Sequence, residues 1–311
     1  MCSSLVSDLV GRRAAGLGML ALMGVSLFCP SAAFAGAITL GSAQSFAVLG
    51  GAGVTVAGGG STVISGNLGD YPYTLSSITG FPPGEVVNGS IYAADNNPGP
   101  APGIADQAQL DENTAYNALK ALSPGASESG TIGNGSTLTP GTYTFSSSAE
   151  VDGTLNLNFE GESNAMFVFQ IGSTLTTGSS AVINVTGANS TDAIYWQVGS
   201  EATLGSSTIF AGNILASTAI TLGSSASIAC GRAFASTASV TMDGSNFISD
   251  NCSLYNIPSG LSLTGLPTDF GSYGFSGVPA ASTPEPGTFL LLGFGLAGVA
   301  VVSRKYSARG R

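Results

Sequence analysis

Four threonines recur at matching places in the C-terminal half of this 311-residue chain: Thr176, Thr203, Thr221 and Thr241, separated by 27, 18 and 20 residues. Each lies between apolar or small neighbours, in the triplets Leu175–Thr177, Ala202–Leu204, Ile220–Leu222 and Val240–Met242. Successive side chains of a strand point to opposite faces, so the flanking residues turn inward and the central threonines outward. Paired in parallel, these strands would present one file of methyl and hydroxyl groups about 4.7–4.9 Å apart. A second file, Ser180, Ser207, Ser225 and Asn246, follows just past the Gly/Ser corners. Side chains that make and break bonds are scarce. The chain has no histidine, which removes Ser-His-Asp and Cys-His catalysis and histidine metal sites. The carboxylate pairs Glu150/Asp152 and Glu160/Glu162 each share a parity and could in principle serve as acid and base. They read better as solvated strand or loop residues, and no catalytic residue is assigned. Polyuronate lyases usually need basic groups, and Arg232 is the only one in the repeats. No recognised calcium loop surrounds Asp243/Asp250 or Asp95/Asn97, so neither a metal nor a cofactor is expected.

The elements that must hold these files are short. Segments starting at Ile171, Val198, Ala216 and Ser236 align with one another, and Gly212–Ala216 matches Gly231–Ala235. A period near 18 to 20 residues, with Gly/Ser corners, fits a β-solenoid whose stacked turns bury a common core. The longer first interval contains a loop from Thr186 to Asp192. Alternation continues upstream in Thr142–Phe145 and Thr154–Phe159, and Tyr195 and Trp196 read as core. The one convincing helix runs from Ile104 to Leu122, has a partly apolar face, and is stopped by Ser123-Pro124-Gly125.

Both ends read as processing signals. Arg12 and Arg13 precede an apolar stretch, Ala14 to Phe28, and Ala33-Phe34-Ala35 is an A-x-A pattern that places signal-peptidase cleavage between Ala35 and Gly36. At the other end, Pro284-Glu285-Pro286 is followed by an apolar run from Phe289 to Val302 and a basic terminus. That run is shorter than the roughly 20 residues of a relaxed bilayer span, which suits transient membrane contact. The tail resembles the PEP-CTERM signals of Gram-negative bacteria. The resemblance implies recognition by an exosortase, removal of the tail, and delivery to the cell surface or exopolysaccharide matrix. Four regions follow: a signal peptide (1–35), a β-helix domain (36–253), a Ser/Gly/Pro-rich spacer (254–282) and a sorting tail (283–311). Residues 36 to 283 carry two basic side chains against sixteen acidic ones, which argues against nucleic acid and anionic lipid as partners. Cys230 and Cys252 remain there, in an oxidising compartment. A disulfide is the natural pairing, and the alternative is a buried thiol at Cys230 with an unpaired one at Cys252.

Several strings, in order, carry a second resemblance: Ser65–Gly69, Gly89–Asp95, Thr114–Tyr116, Leu138–Phe145, Phe167–Thr177, Tyr195–Gly199 and Gly212–Ala216. Together they resemble the ice-binding-like family known as DUF3494, over about residues 40 to 250. The resemblance implies an all-β fold, a right-handed discontinuous parallel β-helix with one long α-helix packed alongside. It also implies binding of ice, or of an ordered water surface, through a flat β-face. Some members carry a T-A/G-x-T/N pattern, which Thr218-Ala219-Ile220-Thr221 fits once. The expected ice-facing residues are therefore Thr176, Thr203, Thr218, Thr221 and Thr241, with Ser180, Ser207, Ser225 and Asn246 as the alternative face. A non-catalytic role in an exopolysaccharide matrix or in adhesion is the competing expectation.

Overall fold

The computed structural model describes residues 38–96, 98 and 102–252. The signal peptide with Ala35 and Gly36, the spacer, the tail with Pro284, Glu285 and Pro286, and Asn97 lie outside the described residues. Among the described residues, twenty-one strands form one continuous parallel ladder wound into a three-faced solenoid. Three-residue strands, Leu175–Thr177, Ala202–Leu204, Ile220–Leu222 and Val240–Met242, stack in register on one face, hereafter the threonine sheet. Longer strands such as Met166–Ile171 and Ala193–Val198 build the helix-side sheet. The third sheet is built from Thr154–Asn158, Val182–Thr186, the first residues of Ile209–Ala216 and Ser227–Ala235, and Phe247–Ser249.

The turns do not stack in chain order. Strand Phe46–Gly50 pairs with Ser227–Ala235, Val54–Val56 with Val240–Met242, and Val63–Ser65 with Phe247–Ser249. The N-terminal turns thus continue the stack beyond the C-terminal one, and the chain must then return to begin at Ala126–Gly133. The helix Ile104–Ala121 makes much of that return. Its 18 residues span about 27 Å, against about 38 Å for the nine stacked rungs between Ile91–Tyr92 and Ala126–Gly133. It packs on Met166–Ile171, Ala193–Val198 and Ile209–Ala216. Gln170 Nε2 fixes its C-terminus by donating to the Leu119 and Leu122 carbonyls, at 2.9 and 3.0 Å.

Inward alternation fills the solenoid. Phe169 stacks on Trp196 with ring centroids 3.8 Å apart, and Trp196 leans on Phe210 at 5.1 Å. The Trp196 indole N–H donates to the Ala211 carbonyl at 3.1 Å, so the one polar atom of this ring is satisfied in the core. Tyr195 is also buried, but on the outer side of the helix-side sheet, where its hydroxyl donates to the Ile38 carbonyl. Between the third and helix-side sheets the long strands bend at Gly212 (φ +103°) and Gly231. A Cβ on Gly231 would lie 2.0 Å from the Gly212 carbonyl oxygen, so neither position accepts a side chain.

Arg232, the single basic group of the repeats, is fully buried. It donates through Nε and Nη2 to the Gln44 carbonyl and through Nη1 to Asn213 Oδ1. Burial lowers its pKa to about 10, with Asp250 and Tyr195 acting in the opposite direction. The guanidinium is therefore engaged in docking the N-terminal segment and is not displayed to a polysaccharide. Cys230 and Cys252 are bonded, with Cα atoms 4.7 Å apart, and tie the end of the domain to the strand beside it.

Candidate functional site

The threonine sheet brings together more than the four repeats. Thr176 pairs with Thr203, Thr203 with Thr221 and Thr221 with Thr241. The file then continues into the N-terminal turns, Thr241 to Thr55 and Thr55 to Thr79. Six consecutive threonines result, spanning about 24 Å. Two rungs extend the other end, Glu150 beside Thr176 and Thr131 beside Glu150. Each central side chain is partly or fully exposed; from Glu150 through Thr176, Thr203, Thr221 and Thr241 to Thr55 the neighbours on its own strand are buried, whereas those of Thr79 are half-buried. Adjacent hydroxyls meet at the far rung, where Thr79 Oγ1 donates to Thr55 Oγ1 at 3.0 Å.

Small groups flank this file. On one side, backbone hydrogen bonds align Thr174, Glu201, Ala219, Ser239 and Gly53. On the other lie Gly178, Gly205 and Gly223, where a Cβ would come within 3.0 Å of the neighbouring rung. The surface around Thr221 is therefore low and even. Carboxylates interrupt it elsewhere: Glu201 in the flanking file, Asp243 past Thr241, and Glu150 with Asp152 at one end. Glu150 accepts from Thr131 Oγ1 at 2.9 Å, so this side chain, met in the sequence as half of a carboxylate pair, belongs to the ladder.

Thr218 is exposed, but it lies in the corner before this sheet, where its N–H bonds to the Ser200 carbonyl, and not in the threonine file. The alternative file sits at the corner between the threonine and third sheets. Ser180, Ser207 and Ser225 are exposed there, with φ of 60°, 59° and 59°. Asn246 does not join them. The fourth member is Ser245, exposed with φ 53°, whereas Asn246 is buried and donates to the Gly223 and Ala226 carbonyls at 2.8 and 2.9 Å. The side chain after the corner turns inward, where an amide can satisfy two backbone acceptors of the preceding turn. Left-handed backbone is costly for serine, so Ser207→Gly should stabilise the domain by up to about 1 kcal/mol. Chemical denaturation measures this, and a lower midpoint would mean that the Ser207 hydroxyl itself holds the corner.

Among the described residues no three carboxylates or cysteines converge on a metal-sized site. Asp95 is occupied by the Leu75 N–H at 2.8 Å. Asp192 is buried; its two oxygens accept from the Ala165 and Asn189 N–H groups and close the loop after Thr186. Desolvation raises its pKa to about 6.

Residues 48–248 match the ice-binding-like family model, and residues 282–305 match the PEP-CTERM protein-sorting motif. The chain is 47% identical over 234 residues to an ice-binding protein of Nostoc sp. (strain HG1), covering 75% of this chain and 82% of that protein. Two crystal structures are similar. An ice-binding protein from the Antarctic ascomycete Antarctomyces psychrotrophicus is 36% identical, with a TM-score of 0.60 over 68% of this chain and 98% of that one. An ice-binding protein from an Antarctic biological consortium is 42% identical, with a TM-score of 0.58 over 68% of this chain and 90% of that one.

Proposed function

The chain belongs to the ice-binding-like family, and we propose that it binds ice through the threonine sheet and thereby inhibits ice growth or recrystallisation. The observation that carries this reading is the six-rung file Thr176, Thr203, Thr221, Thr241, Thr55 and Thr79 on a face whose flanks are mostly Gly, Ala and Ser. Rung spacing along the stack and the two-residue repeat along each strand set a lattice of methyl and hydroxyl groups. Water held on such a lattice is ordered before it meets ice, and the protein adsorbs without rearranging it. Thr218 and the serines of the corner file border this lattice and are secondary contacts.

Signal peptidase and exosortase would process the two ends, releasing or displaying the domain outside a Gram-negative cell. The sorting motif also favours a second reading, retention in exopolysaccharide as a matrix or adhesion protein. The exported protein should show thermal hysteresis and recrystallisation inhibition. Their absence at high concentration, together with retention on a glycan array, would replace the ice reading by the matrix one.

A further inference from the structure

The third sheet differs from the threonine sheet in what it turns outward. Across consecutive rungs its outer file runs Val182, Ile209, Ser227, Phe247 and Val63. The next residue on each strand, from Ile183 through Phe210, Ile228 and Ile248 to Ile64, is fully buried in the core, which fixes the first set as outward. At its two ends the outer file passes into polar residues, Thr154 and Glu85. Four of these five residues are apolar. Phe247 is 9% exposed and Ser227 5%, whereas Thr241 and Thr221, on the same turns of the threonine sheet, are only half-buried, as are Val182, Ile209 and Val63. Rung neighbours shield the sides of an outward phenylalanine but not its tip. The helix Ile104–Ala121 lies on the helix-side sheet, where Gln170 holds its C-terminus.

We infer that the outer face of the third sheet is the docking surface for the chain's own segment Leu254–Leu266, the first part of the spacer. The chain leaves the described domain at Cys252, and the disulfide pins that point to Cys230, on the strand paired with the one carrying Phe247. The sequence that follows supplies Leu254, Tyr255, Ile257, Leu261, Leu263 and Leu266, with no charged residue before Asp269. Reach is sufficient: Phe247 to Val182 is three rungs, about 14 Å, and ten extended residues span more than about 30 Å. Burying apolar side chains on both partners stabilises such a strap by removing apolar surface from water. A charged strap would lose that term, which fits the stretch free of charge. Two of the three outer faces are then covered, one by the helix and one by the spacer, and the threonine sheet alone stays open. The docking does not depend on the ice reading; only the use made of the open face does.

Hydrogen exchange by mass spectrometry on the exported protein tests this. Amides within 254–266 should exchange at least tenfold more slowly than those within 270–282. Leu261→Asp with Leu263→Asp leaves every residue of the solenoid unchanged and should return 254–266 to the rate of the free peptide, while peptides from 193–216 keep their protection. Ile209→Asp should do the same from the other side of the contact. Exchange of 254–266 at the free-peptide rate in the wild type overturns the proposal. Protection found only in a species of doubled mass and lost on dilution also overturns it, because a second copy would then be the occupant.

Discussion

Replacing Thr221 by tyrosine should remove most of the ice activity, a severalfold loss in hysteresis or recrystallisation inhibition, and leave the melting temperature near wild type. Thr221 sits between Thr203 and Thr241, with Ala219 and Gly223 to its sides. The phenol ring would stand well above that plane and hold ice away from the rungs on either side. Tyrosine is a good strand residue, and the position is outward, so stability should change by less than roughly 1 kcal/mol. The converse substitution adds a check. Glu201 is the one charged side chain in the file flanking the threonines on their Ala219 side, and a carboxylate holds a hydration shell unlike ice. Glu201→Thr should therefore raise activity. Nanolitre osmometry on both variants decides: full activity in Thr221→Tyr would place the ice face elsewhere, with the serine corner at Ser180, Ser207, Ser225 and Ser245 next to test.

Period and parity made much of this face legible. The apolar-Thr-apolar pattern of Ile220–Leu222 and Val240–Met242 names the outward residue without a structure, because a one-residue slip would bury the threonine and expose the core. The helix was equally readable: its observed span, Ile104–Ala121, ends just before the Ser123-Pro124-Gly125 stop. Thr55 and Thr79 were not found, although Val54-Thr55-Val56 carries the same triplet. Their rungs come from pairing across some 185 residues, and local periodicity holds no record of stacking order between distant segments. Glu150 is the solvated strand residue that the sequence suggests, but its membership of the file was hidden for the same reason. Its place in the file follows from pairing with Thr176 and not from its neighbour Asp152. Asn246 was a matter of counting past a corner: in a left-handed turn the residue after the turn swings from solvent to core, so one step changes an exposed hydroxyl to a buried amide. Buried polar contacts across elements, such as Arg232 with Gln44, leave no periodic trace at all.

The stability of the domain should fall as pH rises from about 4.5 to about 7, and Glu112→Gln should remove much of that slope. Glu112 projects from the helix into the contact with the solenoid, is fully buried, and accepts from Ser236 Oγ at 2.9 Å and Gln109 Nε2 at 3.1 Å. Desolvation raises its pKa to about 7, against the downward pull of those two hydrogen bonds. Below pH 4.5 folded and unfolded chains both carry the proton, and stability is greatest. Between 4.5 and 7 the unfolded chain releases it while the folded chain keeps it, so each step up in pH favours unfolding. Above about 7 the loss is complete, at roughly 3 kcal/mol for a shift of this size. Asp250 and Asp192, both raised to about 6 chiefly by burial, act in the same direction over the lower part of that window. Gln109 Oε1 is buried without a hydrogen-bond partner among the described residues. Turning that amide over lets a protonated Glu112 donate to it, a contact the carboxylate cannot make. Net charge also grows more negative with pH, so the wild-type curve alone does not isolate this group; the difference between wild type and variant does. At pH 8 Glu112→Gln should melt several degrees higher than wild type, and at pH 4 the two should converge. Parallel curves from pH 4 to 8 would mean that Glu112 is already ionised in the folded protein, its charge held by Ser236 and Gln109 without cost to the helix contact.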